Sequence, residues 1–352
     1  MSKAAELAAL IGSQSALSNR NLVINGAMQV AQRGTSSAVT TSSGYFTADR
    51  FRTTVTSDSA GRHTQSQATI TDLPGFANAI KLDCTTADTS IAANEIFVLA
   101  TRFEGQDLQQ LQKGTSSAKS VTVSFYAKGT AKTYMCELLD NDNSRHNTQQ
   151  FTVSTSWTRH SITFVGDTTG ALDDDNALSL VLSFWLHAGS TYSGGTYTAN
   201  TWATNTAANR AAGIDSFFSS TDNELFITGV QMEIGEQATP FEHRSFHDEF
   251  MRCQRYYQEI HGGSCEPSSS SVVETSFTRL PMRAAPTGSV SAAIDIEDPN
   301  VTTYTQSSGA IAIGNATARA EKIGLSNFSS LGTSKSFFIK TTGGHIQLDA
   351  EL

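Results

Sequence analysis

Charge is what this sequence has least of. Asp, Glu, Lys and Arg supply only 16% of 352 residues, and acidic side chains outnumber basic ones to give a formal net charge of −9. Lys and Arg form no run anywhere. Phosphate binding rests on clustered Lys and Arg, so nucleic acid is excluded as a partner. Long apolar runs are missing as well. The most apolar stretch, 177–188 (ALSLVLSFWLHA), is too short to span hydrocarbon and predicts a buried strand, so no membrane insertion is expected. Glu6 interrupts the short apolar segment near the start, which does not read as a signal peptide. The cysteines are Cys84, Cys136, Cys253 and Cys265. They form no CxxC pair, and no His stands at ligand spacing from two of them, which speaks against a zinc site built on thiols. GxSxG and HExxH are absent too, and no solenoid period runs through the chain.

What fills the space is Ser, Thr, Asn and Gln, with 26 Gly against 6 Pro. Such a surface is kept in water by hydroxyls and amides rather than by charge. The length predicts two or three domains. Alternating, β-branched or aromatic runs at 51–55, 79–84, 95–103, 121–127, 133–139, 150–153, 157–165, 178–187 and 224–233 predict strands, separated by stretches rich in Gly, Asn and Asp. The fold class expected is all-β: a jelly-roll β-sandwich over 21–245, built of two antiparallel sheets. The stretch 223–244 closes it. Leu225, Ile227 and Val230 to Met232 form a buried strand, Gly235 permits a turn, and Pro240 stops further pairing. Before the sandwich, residues 1–20 hold one short helix with Ala4, Leu7, Ala8 and Ile11 on a stripe. After it, 246–261 predicts a connecting helix, 262–271 (GGSCEPSSSS) a linker, and 272–352 a smaller C-terminal β-domain.

Five candidate chemistries follow. Paired carboxylates for glycoside hydrolysis would come from Asp140 and Asp142 or from Asp173, Asp174 and Asp175. Both groups read as solvated turns with nothing to bury a carboxyl, so no catalytic residue is assigned. Asp140 to Asn143 open like a calcium loop but lack its turn glycine and closing Glu. Asp173, Asp174 and Asp175 are the better ligands for a structural calcium, and no other cofactor is expected. A glycan site needs an aromatic face with amides beside it. Tyr192, Tyr197 and Trp202, with Asn200, Asn205 and Asn209, offer that in the long polar loop 189–212. The same aromatics would equally pin that loop to the sandwich. Trp157 and Trp185 lie in strand-like runs and are expected in the core. Phe246, Phe250, Cys253, Tyr257 and Ile260 recur at heptad spacing, either as a helix laid on the sandwich or as an oligomer seam. Arg33, Arg50 and Arg244 are expected in structural ion pairs with carboxylates such as Glu104 or Glu233.

Several segments carry a resemblance: NLVINGAMQVAQRG (21–34), YFTADRF (45–51), SVTVSFYAKG (120–129), ITGVQMEIGEQATPFEHR (227–244), MRCQRYY (251–257), LPMRAAPTGSVS (280–291) and the closing LDAEL. Together the chain resembles bacteriophage tail-fibre and tail-associated virion proteins, including those of phages infecting marine cyanobacteria, with a jelly roll like a carbohydrate-binding module. The resemblance implies a virion protein assembled in host cytoplasm, where free thiols are expected. It implies a homo-oligomer, as a trimer, that docks on tail or capsid proteins through its N-terminal segment. The expected function is a non-enzymatic adhesin for host-surface glycan. Two alternatives stand beside it: a purely structural decoration or tail-covering protein, and a virion-associated glycan depolymerase.

Overall fold

A computed structural model describes residues 19–39, 41–56, 59–278, 280–314, 320–332, 335–341 and 343–352. The stripe of Ala4, Leu7, Ala8 and Ile11 lies outside the described residues. The chain forms two compact units, one ending at Glu249 and one running from Phe250 to Glu351.

The first unit is the all-β, jelly-roll-like sandwich. Its strands are β1 (Gly44–Tyr45), β2 (Arg52–Val55), β3 (Arg62–Thr69), β4 (Asn78–Thr86), β5 (Ile96–Glu104), β6 (Val121–Gly129), β7 (Lys132–Asp140), β8 (Arg145–Val153), β9 (Thr158–Phe164), β10 (Leu178–Ala188), β11 (Ala203–Thr204) and β12 (Glu224–Ile234). One antiparallel sheet has the order β1-β2-β5-β10-β7-β8-β11, the other β3-β4-β12-β6-β9. Period-2 alternation turns Phe97 and Leu99 of β5, Tyr134 and Leu138 of β7, and Leu182 and Phe184 of β10 inward. They meet Ile80 and Leu82 of β4, Val123 and Phe125 of β6, and Ile227 of β12. Each such fully buried side chain stabilises the sandwich by about 1.5–3 kcal/mol.

Segment 19–30 packs along β12. A bulge in β12 between Thr228 and Gln231 frees Val230 N to donate to Gly26 O at 2.9 Å, and Leu22 N donates to Met232 O at 2.9 Å. The residues that follow β12 fasten this segment. Glu242 accepts from the backbone N–H groups of Asn19 and Asn21, both at 2.7 Å. Arg244 donates to the Asn21 and Val23 carbonyls and to Glu249. Two of the segments that carry the sequence resemblance are thus one hydrogen-bonded clasp. Arg244 makes its expected ion pairs, with carboxylates other than Glu104 and Glu233: it uses Glu242 and Glu249. Arg50 donates to Arg102 O, and Arg33 lies over the Tyr45 ring. Glu233 is held by Thr239 and Gln231.

Helix α1 (Ser190–Ser193) is a single turn, and α2 spans Phe246–Gln254. Ser245 caps α2, accepting from Asp248 N at 3.1 Å. The expected helix over 246–261 is therefore shorter, and its heptad is split. Phe246, Phe250 and Cys253 are helical, whereas Tyr257 and Ile260 belong to β13 (Tyr257–Ile260). Pairing with β22 (Ile346–Asp349) takes those two residues into a sheet. Cys253 and Tyr257 are buried while Phe246 is exposed, so the five do not form one continuous seam.

The second unit also contains β14 (Gly263–Ser269), β15 (Val272–Thr278), β16 (Thr287–Val290), β17 (Asp295–Glu297), β18 (Thr303–Thr305), β19 (Ala310–Gly314), β20 (Ala320–Ser326) and β21 (Phe337–Ile339). Its sheets run β13-β22-β16 and β18-β17-β21-β14-β15-β20-β19, around Val273, Ile296, Ile323, Phe337 and Leu348. The expected linker 262–271 is mostly β14, an interior strand. Pro267 is accommodated at a register shift opposite Val273, the place where a strand tolerates a missing N–H.

Candidate functional site

The long polar loop turns its aromatics toward the sheet. On the outer face of the sandwich's seven-stranded sheet, Val98, Ala100, Met135, Val181 and Trp185 form a second apolar layer, packed against Tyr192 and Tyr197. Tyr192 lies 5.5 Å from the Trp185 ring, and Tyr197 Oη accepts from Gln150 N at 3.1 Å. Trp202 packs against the main core and donates its indole N–H to Val165 O at 2.7 Å. The Asn200 side-chain oxygen accepts from Val165 N at 2.9 Å. Asn205 donates its backbone N–H to Ser144 O at 2.8 Å, and Asn209 accepts from Thr196 N at 2.9 Å. These residues therefore fasten the loop over the sheet, and with the core on its other face every residue of β10 between Leu178 and Ala188 is buried.

Beneath the loop lies a charge that the sequence did not single out. Glu137 is wholly buried. It accepts from Arg210 Nε at 2.8 Å and Nη2 at 2.7 Å, and from Trp185 Nε1 at 2.7 Å. His146 Nδ1 is 3.1 Å away. Burial pushes the carboxyl up, but the Arg210 charge and these hydrogen bonds outweigh it and hold Glu137 below the usual range. The alternation of β7 could have shown an outward Glu beside Met135, but nothing in the sequence places Arg210 above it.

The acidic turns divide. Asp140 is not solvated, as expected from sequence, but fully buried, paired with Lys113 and accepting from Asn143 N at 3.0 Å. Lys113 also reaches Asp167 at 3.1 Å, and Arg145 binds Asp167 through Nε at 2.7 Å. Burial raises the Asp167 carboxyl, and these cations with Thr169 N–H more than reverse it. Asp173, Asp174 and Asp175 are exposed. Asp175 accepts from Ala177 N, and among the described residues the three carboxylates are not gathered into one ligand shell. The calcium expected there has no built site.

The outer face of the five-stranded sheet is different. Segment 236–244 covers one half, through Thr239 on Glu233 and Glu242 N on Gln231. The other half stays open and carries rings. Cross-strand register places Lys81, Phe226 and Lys128 in one row, and Trp157 stands beside them, just before β9. Lys81 Nζ lies 5.2 Å from the Phe226 centroid, and Lys128 Nζ lies 4.9 Å from Phe226 and 5.1 Å from Trp157. Trp157 is thus half-exposed here and not in the core. Asp72 accepts from both Trp157 Nε1 at 2.9 Å and Lys128 Nζ at 2.6 Å, which hold its carboxyl below the usual range. Asp83 and Glu224 flank Lys81. Toward the covered half, Phe76 meets Tyr126 at 5.2 Å and Phe241 at 5.1 Å. Half-exposed rings fixed on rigid strands, with amines and carboxylates between them, can take the apolar face of a pyranose and its hydroxyls together.

No protein-family model and no curated protein matches this chain. Among solved structures, the enzymatically active domain of tailspike protein 4 from bacteriophage CBA120 aligns with 61% of this chain at 11% identity and TM-score 0.33, and this chain spans 21% of it. TmCBM61, solved with β-1,4-galactotriose, aligns with 62% of this chain and 100% of its own length at 9% identity and TM-score 0.31. The family 11 carbohydrate-binding module of a Clostridium thermocellum cellulase aligns with 54% of this chain and 91% of its own, at 11% identity and TM-score 0.28. The TM-scores are low, and none of the three assigns a family. Among the described residues no helix is long and apolar enough to cross a membrane.

Proposed function

We propose that the protein is a non-enzymatic phage adhesin that binds host-surface glycan through the open half of the five-stranded sheet. The observation that carries this reading is the row Lys81, Phe226, Lys128 and Trp157, with Asp72 fixing both Lys128 and the indole. Large rings left half in water on a rigid sheet, away from the covered half, are where contact energy with a ligand is available. The virion setting comes from the sequence resemblance. In that setting the chain is a homotrimer docked on other virion proteins. Weak single sites then gain avidity from several copies, without new contacts.

The test is binding of the purified chain to host envelope polysaccharide. Trp157→Ala and Phe226→Ala are each expected to weaken it at least tenfold with folding unchanged. Trp202→Ala, in contrast, removes half-buried packing and is expected to destabilise the sandwich by about 2 kcal/mol. Normal binding by well-folded Trp157 and Phe226 variants would dismiss this surface. New reducing ends after incubation would instead indicate a depolymerase, and an array of the protein over the capsid would indicate decoration.

A further inference from the structure

The second unit holds a group of metal-ligating side chains that the glycan reading does not use. β13 and β22 pair with Tyr257 opposite Asp349 and Ile260 opposite Ile346. Continuing that register by one residue sets His261 opposite His345, and their rings lie 4.4 Å apart at 30°. Glu259 stands two residues before His261 and so shares its face of the sheet. Glu259 Oε2 is 3.2 Å from His261 Nε2, and Oε1 is 3.1 Å from His345 Nε2. One ligand atom from each residue lies within 4.8 Å of the others.

The surroundings orient these donors. His345 Nδ1 is 3.0 Å from Ser291 Oγ, and Ser291 N donates to His345 O at 3.0 Å. That contact fixes the ring with Nε2 turned toward Glu259 and His261. The Nε2 atom is buried, and its 3.1 Å contact with Glu259 Oε1 misses hydrogen-bond geometry. Tyr257 Oη donates to Glu259 Oε1 at 2.9 Å, holding the carboxylate. A metal-bound imidazole whose other nitrogen is held by a neighbour, and a carboxylate that is itself hydrogen-bonded, are what a cation site requires around its ligands.

We propose that Glu259, His261 and His345 bind one divalent first-row transition ion, zinc being the best match to two imidazoles and a carboxylate. Two donors each about 2.1 Å from an ion stand about 3.4 Å apart at the tetrahedral angle, so the Glu–His spacings need only a small adjustment. His261 is 52% exposed, which leaves the fourth position open to water. The ion clips β13 to β22, residues far apart in the chain, and through Ser291 engages the bend that follows β16. Its role is structural.

The experiment uses the full chain, stripped with chelator and titrated with zinc chloride at neutral pH. The expected result is one equivalent of zinc retained through gel filtration, with a raised melting temperature. Stoichiometric binding is lost in His261→Gln and in His345→Asn. Unchanged circular dichroism of the exposed His261→Gln variant separates loss of the ligand from loss of the fold. No retained zinc, or one equivalent still held by both variants, would overturn the site. Neither result bears on glycan binding, because the rings proposed for glycan lie in the other unit.

Discussion

Removing the Glu137 carboxylate tests whether the loop over the seven-stranded sheet is held by charge. Glu137→Ala takes away two short bonds to Arg210 and one to Trp185. Breaking a buried pair from one side costs about 3–5 kcal/mol, because the partner stays behind. Arg210 keeps some compensation: it is 17% exposed and its guanidinium lies 4.7 Å over the Trp185 ring. The lower end, about 3 kcal/mol, is therefore expected, or roughly a hundredfold in the local opening equilibrium. Replacing both residues by leucine removes the unpaired charge and leaves chiefly the indole N–H unsatisfied, at about 1–3 kcal/mol. Arg210→Leu alone strands the buried carboxylate at about 3 kcal/mol or more, so the pair should show a coupling of about 4 kcal/mol. Native-state hydrogen exchange at the loop's own bonded amides, such as Ala211 N to Tyr192 O and Asn200 N to Thr148 O, reads this without requiring the whole chain to unfold in one step. The pH arm has a definite sign. The folded carboxyl titrates below its usual value, so the unfolded chain takes up this proton first. Its stabilisation is full above about pH 4.3 and is lost as pH falls further. Additivity of the two substitutions within about 0.5 kcal/mol would refute the clamp.

The remaining predictions concern the sandwich. His63 is fully buried against Phe97 at 4.3 Å, and neither ring nitrogen makes a hydrogen bond; burial pushes its pKa down to about 4. Stability from keeping it neutral is complete above about pH 6.5 and is lost as pH falls toward 4, by about 3 kcal/mol in all. His63→Leu should flatten melting temperature against pH in that window, and parallel curves for the two proteins would refute this. At Gly26 an added Cβ would lie 2.0 Å from Val230 O, so Gly26→Ala must displace segment 19–30 from the β12 bulge. It should destabilise by about 1–3 kcal/mol, measured by thermal melting, and a neutral effect would show that the backbone can give way.

Strands with apolar alternation were legible in the sequence. The expected 79–84, 121–127, 133–139, 178–187 and 224–233 fall within or along β4, β6, β7, β10 and β12, and Gly235 makes its turn at φ +127°. β3 was missed because its inward positions include His63 and Gln65, polar side chains that pattern reading does not count as core. β14 was missed because a run of Gly and Ser resembles a linker until two neighbouring strands claim its backbone groups. The loop 189–212 announced its aromatics but not their direction. A polar exterior does not reveal that Trp185 and Met135 lie beneath it. Trp157 was misjudged for the opposite reason: it stands just before β9, at the half of the sheet that segment 236–244 leaves open, whereas Arg159 and Thr163 further along β9 are bonded to that segment. The histidines of the second unit escaped notice because register, not spacing, brings residues 261 and 345 together.

The clasp between segment 19–30 and residues 242–249 has a mechanical consequence. A tension applied between Asn19 and Glu249 would load Glu242 and Arg244 first, since they bridge the two ends of the sandwich directly. The strand ladders lie outside that line of force. A tether pulled by a moving particle would therefore yield at this clasp while the sheet bearing the proposed contact rings kept its shape.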